Sequence, residues 1–373
     1  MRGAGSRPEA DPAERVRRSV AEAFRLRWMR RRLLWRALRA RHALTPVADR
    51  TRTIAPGVVL AFTVVRNEAL RLPYFLSHYR ALGVGHFLVV DNDNDSDDDT
   101  RALLVDQPDV SLWHTTARYR AARFGLDWCG WLRMRHGHGR WCLTVDADEL
   151  LVYPGCDRTD LPALTRWLDR QGLSGFGALM LDLYPAGPLD AVRYTPGQDP
   201  TEVLRHFDAG PYRSVRQRPM GNLWTQGGAR ERAFFADAPR RSPTLNKIPL
   251  MRWNRRHVYV NSTHSALPPR LNALYDGPGG MCPSGVLLHT KFLPDAPARA
   301  ARERARGEHF HTPEMFADYY VSVEAAPTLH HAGSVRYTGP AQLAALGLAT
   351  PGGWPGAVPT AAGTDDPDST PAT

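Results

Sequence analysis

The chain has 373 residues, 43% of them apolar, enough to bury the core of one large domain or two ordinary ones, which excludes a wholly disordered polypeptide. Its formal net charge of +10 sits at one end: residues 1–52 hold 15 of the 48 basic and 5 of the 38 acidic side chains, and the remaining 33 and 33 cancel. The body is neutral, and its longest clean apolar run, "GVVLAFTVV", falls far short of the ~20 residues that span a bilayer.

The basic end comes first. In "ERVRRSVAEAFRLRWMRRRLLWRALRARHALTP", Val16, Val20, Phe24 and Trp28 recur every four positions, and Trp35 and Leu38 resume the stripe after the arginines at 30–32. The spacing predicts a basic amphipathic helix over residues 15–41, ended before Pro46. Its aromatic side suits an anionic membrane surface or packing onto its own domain. Nucleic acid is not expected as a partner, because no aromatic-interleaved basic surface continues into the body. Four cysteines, Cys129, Cys142, Cys156 and Cys282, have no paired spacing and suit buried thiols of a reducing compartment. No apolar secretion signal follows the N-terminal arginines. The expected location is cytoplasmic, at the inner face of the membrane if the arm engages lipid.

From residue 57 short apolar runs alternate with helical segments. "GVVLAFTVV" reads as a buried strand, "LRLPYFLSHYRALG" as a helix with Gly83 just past its end, and "HFLVV" as a second strand. "TRALLVDQ" gives a helix, "VSLW" a strand, "ARFGLDWCGWLRMRHG" a helix and "WCLTV" a fourth strand. This order predicts an α/β fold with a Rossmann-like, mostly parallel sheet flanked by helices. After 155 the pattern loosens into an irregular α+β half. "GALMLDLYP", "ARERAFF", "HVYVNST" and "GVLLHTKFL" read as strands, and "SPTLNKIPLMRW" as an irregular segment between them. The resulting division is a basic arm (1–52), two halves of one domain (53–155 and 156–345) and a Pro/Gly/Ala/Thr-rich tail (346–373) expected to be disordered.

Three polar clusters fall at the carboxyl ends of predicted strands: Arg66-Asn67-Glu68, "DNDNDSDDD" from Asp91, and "DADE" at 146–149. In a parallel sheet these ends share one edge, where ligands bind. The acidic loop has the one, three, five aspartate spacing of an EF-hand. It carries Ser96 where that loop needs glycine and Ala102 where it needs a bidentate glutamate, so calcium of that type is not expected. Asp146 and Asp148, one residue apart as the chain leaves a strand, are hard oxygen ligands that can point the same way. They suit Mg²⁺ or Mn²⁺ bridging a diphosphate.

"FTVVRNEALRLPYFLSHYRALGVGHFLVVDNDNDSDDDTRALL", followed by "GRWCLTVDADELLVYP", resembles the family 2 glycosyltransferases of GT-A fold, in the subgroup with an Asn-Glu pair and an Asp-x-Asp-Glu motif. The resemblance covers residues 57–155 and implies a metal-dependent transfer, usually inverting, from a nucleotide diphosphate sugar to an acceptor hydroxyl. It implies that Arg66, Asn67, Glu68 and Asp91 flank the nucleoside and that Asp146 and Asp148 hold metal, diphosphate and sugar. The first half would bind the donor and the second shape the acceptor site, fitting synthesis of a surface polysaccharide.

The later Glu-Asp pair of that family is missing after 149, which leaves the general base to Asp182 or Glu231, each near a predicted strand end. His289, at the end of an apolar run, is a candidate third metal ligand, ahead of His264. Lys247, Arg252, Lys291 and Arg123 are candidate cations for the donor diphosphate. A nucleotidyltransferase or phosphohydrolase could use the same carboxylates, although no glycine-rich phosphate loop follows the first strand. A non-catalytic binding module recruited by residues 1–52 is the reading from another class.

Overall fold

In the computed structural model, residues 18–92, 98–306 and 317–357 are described; residue Val16, most of the acidic loop and residues 358–373 of the expected tail lie outside them. The helix α1 (Val20–Ala40) opens with a capping box, Ser19 accepting from the Glu22 amide and Glu22 accepting from the Ser19 amide, worth about 1 kcal/mol. It does not pack by the stripe that the sequence made conspicuous. Leu26, Leu33 and Ala37 are buried, whereas Val20, Phe24, Trp28 and Trp35 remain exposed. Thr45–Ala48 (β1) then pairs antiparallel with a strand at the sheet edge, so the arm belongs to the body.

The next seven elements follow the expected order: β2 (Val59–Val65), α2 (Leu72–Ala81), β3 (Val84–Asp91), α3 (Thr100–Val105), β4 (Val110–His114), α4 (Leu126–His136) and β5 (Trp141–Thr144). β2 pairs in parallel with β3 and β5, and β3 with β4. Alternate residues of each strand feed two cores. Ala61, Phe87, Val89 and Leu143 meet Leu72, Phe75 and Leu76 of α2 on one face; Leu60, Phe62, Leu88 and Cys142 meet Leu126 and Leu132 of α4 on the other. Gly83 (φ 84°) turns the chain out of α2, and a Cβ there would lie 2.8 Å from Pro162 Cδ, so only glycine fits.

The remaining elements are β6 (Glu149–Val152), α5 (Leu161–Arg170), β7 (Gly175–Asp182), β8 (His206–Phe207), β9 (Tyr212–Gln217), β10 (Asn222–Gly227), α6 (Gly228–Phe234), β11 (Asn246–Arg252), β12 (Val258–Asn261), β13 (Ser265–Leu267), β14 (Ser284–His289), α7 (Ala296–Arg306), α8 (Ala317–Glu324), β15 (Val335–Arg336) and α9 (Pro340–Ala345). β11, β7, β14 and β6 extend the first sheet to nine strands in the order β1-β4-β3-β2-β5-β11-β7-β14-β6. The two halves therefore share one mixed, mostly parallel sheet.

Three expectations fail here. "NKIPLMR" is not irregular but the strand β11, buried between β5 and β7; Pro249 lacks the N–H a ladder needs, and the register of β11 on β7 shifts between Lys247 and Leu250. "ARERAFF" is helical, because Gly227 and Gly228 at positive φ turn the chain into α6. The expected disordered tail is ordered to residue 357: Thr350 exchanges hydrogen bonds with Ser284, and Trp354 is buried with its ring 5.5 Å from that of Trp167. Among the described residues no helix is long and apolar enough to cross a membrane.

Candidate functional site

Strand direction decides what reaches the edge of the sheet. β2, β3, β5, β7 and β14 bring their carboxyl ends there, while β11 and β6 run oppositely and bring their amino ends. Register then sets Asp182 of β7, His289 of β14 and Glu149 of β6 in one cross-strand row.

In that row His289 Nδ1 lies 2.6 Å from Asp182 Oδ1, and its Nε2 lies 3.3 Å from Asp148 Oδ2. Asp148 is brought there by a tight turn after β5 and pinned by Thr290, whose amide and hydroxyl donate to the Asp148 carbonyl at 2.7 and 3.1 Å. Asp182 Oδ2 accepts from Arg230 Nε at 2.7 Å. Burial alone would raise the Asp182 carboxyl, but Arg230 and His289 outweigh it and bring it down to about 2. Burial likewise opposes the charge on Asp148, yet His289, Arg299 and Arg71 hold it well below the usual carboxylate range. Against burial, Asp148 and Asp182 raise His289.

This is the geometry in which a histidine presents one nitrogen to a cation while a carboxylate fixes the other. With Asp182 accepting a hydrogen bond from Nδ1–H, His289 Nε2 and Asp148 Oδ2 are the two atoms able to share a divalent ion, at a separation close to the ~3 Å edge of an octahedral Mg²⁺ or Mn²⁺ shell. Among the described residues no group of three or more His, Cys, Asp or Glu side chains could hold a metal by itself. Asp146, expected together with Asp148 as a carboxylate ligand, departs from this pair: its side chain is 58% exposed and its Oδ2 lies 3.6 Å from Lys247 Nζ. The turn at residues 147–148 ends the strand alternation that would have aimed both aspartates alike.

Lys247 enters from the amino end of β11, and its buried ammonium pairs with Glu149 Oε1 at 2.8 Å. Burial disfavours its charge, but Glu149 and Asp146 more than restore it. The pair forms one wall of a recess lined also by Phe62, Tyr119, Arg133 and Ser262. Arg133 is buried between aromatic rings, its guanidinium carbon 4.8 Å from the Trp253 centroid and 5.0 Å from that of Tyr259. Of the five non-glycine residues at positive φ among the described residues, four surround this edge: Asn67 follows β2, Arg123 and Phe124 precede α4, and Ser262 follows β12. Left-handed backbone in such residues costs on the order of 1 kcal/mol each, and strain of this kind gathers at ligand sites.

The other expected residues divide into those at the edge and those removed from it. Glu68 is buried and accepts from Arg299 at 2.9 Å and from Arg71 at 3.4 Å, while Arg71 also clamps Asp295. Burial raises it, opposed by Arg299 and Arg71, so Glu68 ties the loop after β2 to α7. Asp91 closes β3 and accepts from Arg101 at 2.8 Å. Arg66 is half-buried and makes no hydrogen bond or ion pair among the described residues. Lys291 is likewise without either; its Nζ stands 5.8 Å from the Tyr319 ring centroid, and burial with neighbouring Arg230 lowers it to about 8.

Arg123 is not available to a ligand: its guanidinium is spent on Asp127 and on the carbonyls of Tyr259 and Val260. Arg252 sits at the opposite end of β11, beside Trp141, because that strand runs against its neighbours. His264 Nδ1–H donates to the Asn246 carbonyl at 2.6 Å, and burial lowers the imidazole to about 3, so it pins a loop to β11. Glu231 is held by Arg213 and Ser242, which outweigh burial and lower it. Asp182 and Glu231 are thus both poor proton acceptors, and Asp182 serves as the orienting partner of His289. Arg71, Arg230 and Arg299 have no motif to announce them, since they come from a loop and two helices that meet only in the fold. No family model matches the chain, and no curated protein matches it.

Proposed function

We propose that the protein is a metal-dependent glycosyltransferase of GT-A type, moving a sugar from a nucleotide diphosphate sugar to an acceptor hydroxyl. The Asp148, His289, Asp182 row carries this reading: a two-atom cation site with an orienting carboxylate, at the carboxyl edge of a Rossmann-like sheet. Two protein ligands leave most positions of a Mg²⁺ or Mn²⁺ shell to water and phosphate oxygens, as a diphosphate donor requires. The bound ion would neutralise charge that develops on the departing nucleoside diphosphate.

The chain's own residues do the rest. Lys291 and Arg66, without a hydrogen-bond or ion-pair partner among the described residues, would meet phosphate oxygens; His289 and Arg299 keep Asp148 ionised, and Arg230 and His289 keep Asp182 ionised. Asp146, exposed and lining the recess, would be a further contact for the donor. Asn67, Glu68 and Asp91 shape the pocket for the nucleoside between β2 and β3. Donor and acceptor held on one rigid edge react with the orientation already paid in folding.

The test is calorimetric titration of nucleoside diphosphates and nucleotide sugars, with and without Mn²⁺, against the intact chain and the Asp148→Ala and His289→Ala variants. Binding of a nucleoside diphosphate that needs Mn²⁺ and is lost in both variants is the expected result. Absence of any nucleotide binding by the intact chain refutes the proposal. Release of pyrophosphate instead of nucleoside diphosphate would convert the reading to nucleotidyl transfer.

A further inference from the structure

Helix α1 has two faces with different fates. Leu26, Leu33 and Ala37 face the body, where Leu26 and Leu33 pack with Val258 and Leu267. Phe24, Trp28 and Trp35 are 65%, 62% and 58% exposed, and Val20 extends the same side. Four of the nine large hydrophobic side chains exposed in the described structure therefore stand on one helix. Their spacing of four, four and seven residues places them on one stripe.

The stripe is interspersed with charge. Arg27, Arg31, Arg32 and Arg39 each stand three or four positions from one of the rings, are exposed, and make no ion pair among the described residues. The helix carries seven arginines against the single acidic residue Glu22. Arg36, which turns inward, pairs with Asp127 instead.

Separate rings set among guanidiniums do not make the contiguous apolar patch that a protein partner buries. They match the headgroup layer of a bilayer, where rings sit at the level of the glycerol backbone and guanidiniums meet lipid phosphates. We infer that the outer face of α1 is a docking surface for an anionic lipid bilayer, the helix lying flat with Phe24, Trp28 and Trp35 inserted and its arginines on the headgroups. This goes beyond the proposed transfer and does not depend on it. The helix packs on α4 and β12; Leu126, the first residue of α4, and Ser262, which follows β12, line the recess, so docking would hold the recess next to the lipid surface.

The test is co-sedimentation of the full chain with phosphatidylcholine vesicles prepared with and without phosphatidylserine. The intact protein should bind only the anionic vesicles. The triple variant Phe24→Ala, Trp28→Ala, Trp35→Ala and, separately, Arg31→Glu with Arg32→Glu should each bind about tenfold more weakly or worse. Both should keep the thermal unfolding midpoint, since none of these side chains packs in the core. No binding of the intact chain to anionic vesicles overturns the inference, as does a triple variant that binds like the parent. A parent dimer, seen by light scattering, that the triple variant converts to monomer without any vesicle dependence would assign the face to a second copy and equally overturn it.

Discussion

Replacing Asp182 with asparagine should uncouple the row at its buried end. Its side chain is 2% exposed, and its carboxyl lies at about 2 against 3.8 for the free group, so the folded state favours the ionised form by about 2 kcal/mol at ~1.4 kcal/mol per pH unit. The neutral amide also strands Arg230, itself 7% exposed, as a buried cation without its counter-charge, which typically costs about 3–5 kcal/mol. Urea unfolding at pH 7 should therefore show a loss of about 3 kcal/mol with an unchanged slope. Because the folded carboxyl is depressed, its contribution is complete above the unfolded value of 3.8 and is lost as pH falls through about 2. The gap between parent and variant should narrow by about 1 kcal/mol on going to about pH 3. Without Asp182 the His289 ring should also titrate lower, as read by NMR. A gap below about 1 kcal/mol at neutral pH, or one that widens in acid, would refute the argument.

Metal binding should expel a proton from His289: Asp148 and Asp182 raise that imidazole against burial, so Mn²⁺ affinity should climb with pH through its titration, and calorimetry in buffers of different ionisation enthalpy should count the proton released. Lys247→Met should cost about 3–5 kcal/mol in denaturant unfolding by stranding Glu149, and the double variant with Glu149→Gln should recover part of it. Trp354→Ala should lower stability by about 3 kcal/mol, a value near zero meaning that the C-terminal segment does not pack on Trp167. Arg123→Ala should lower the unfolding midpoint while leaving the Kd for nucleotide unchanged, because its guanidinium is occupied by Asp127 and β12.

The first half of the sheet was legible because β2, β3, β4 and β5 are short apolar runs bounded by helices, and parallel burial leaves them nearly continuous. Asp148 and His289 were legible as polar residues at the ends of such runs. The remainder was hidden for definite reasons. Pro249 disguised β11, whereas "ARERAFF" is rich in Ala, Arg and Glu, which favour the helix that two glycines initiate, so its strand reading went against its own composition. Asp182 was singled out as a candidate proton acceptor, and its pairing with Arg230 and His289 is known only from the fold. On α1 the eye falls on the aromatic stripe, while the face that docks the helix is the plainer one of leucine and alanine.

The break in the β11 ladder sets which side of the sheet the next residues face. Leu250 packs with the α2 side and Met251 with the α4 side, as alternation requires, yet Ile248 packs on the α4 side although it stands two residues from Leu250. The irregularity at Pro249 has exchanged the parity of everything before it. Lys247 consequently shares a face with Leu151 and Glu149, the residue it pairs with. An unbroken strand in the same place would carry the ammonium to the opposite face and leave Glu149 buried without a counter-charge. The proline that conceals the strand from a reader of the sequence is thus the hinge of parity on which the ion pair at the recess depends.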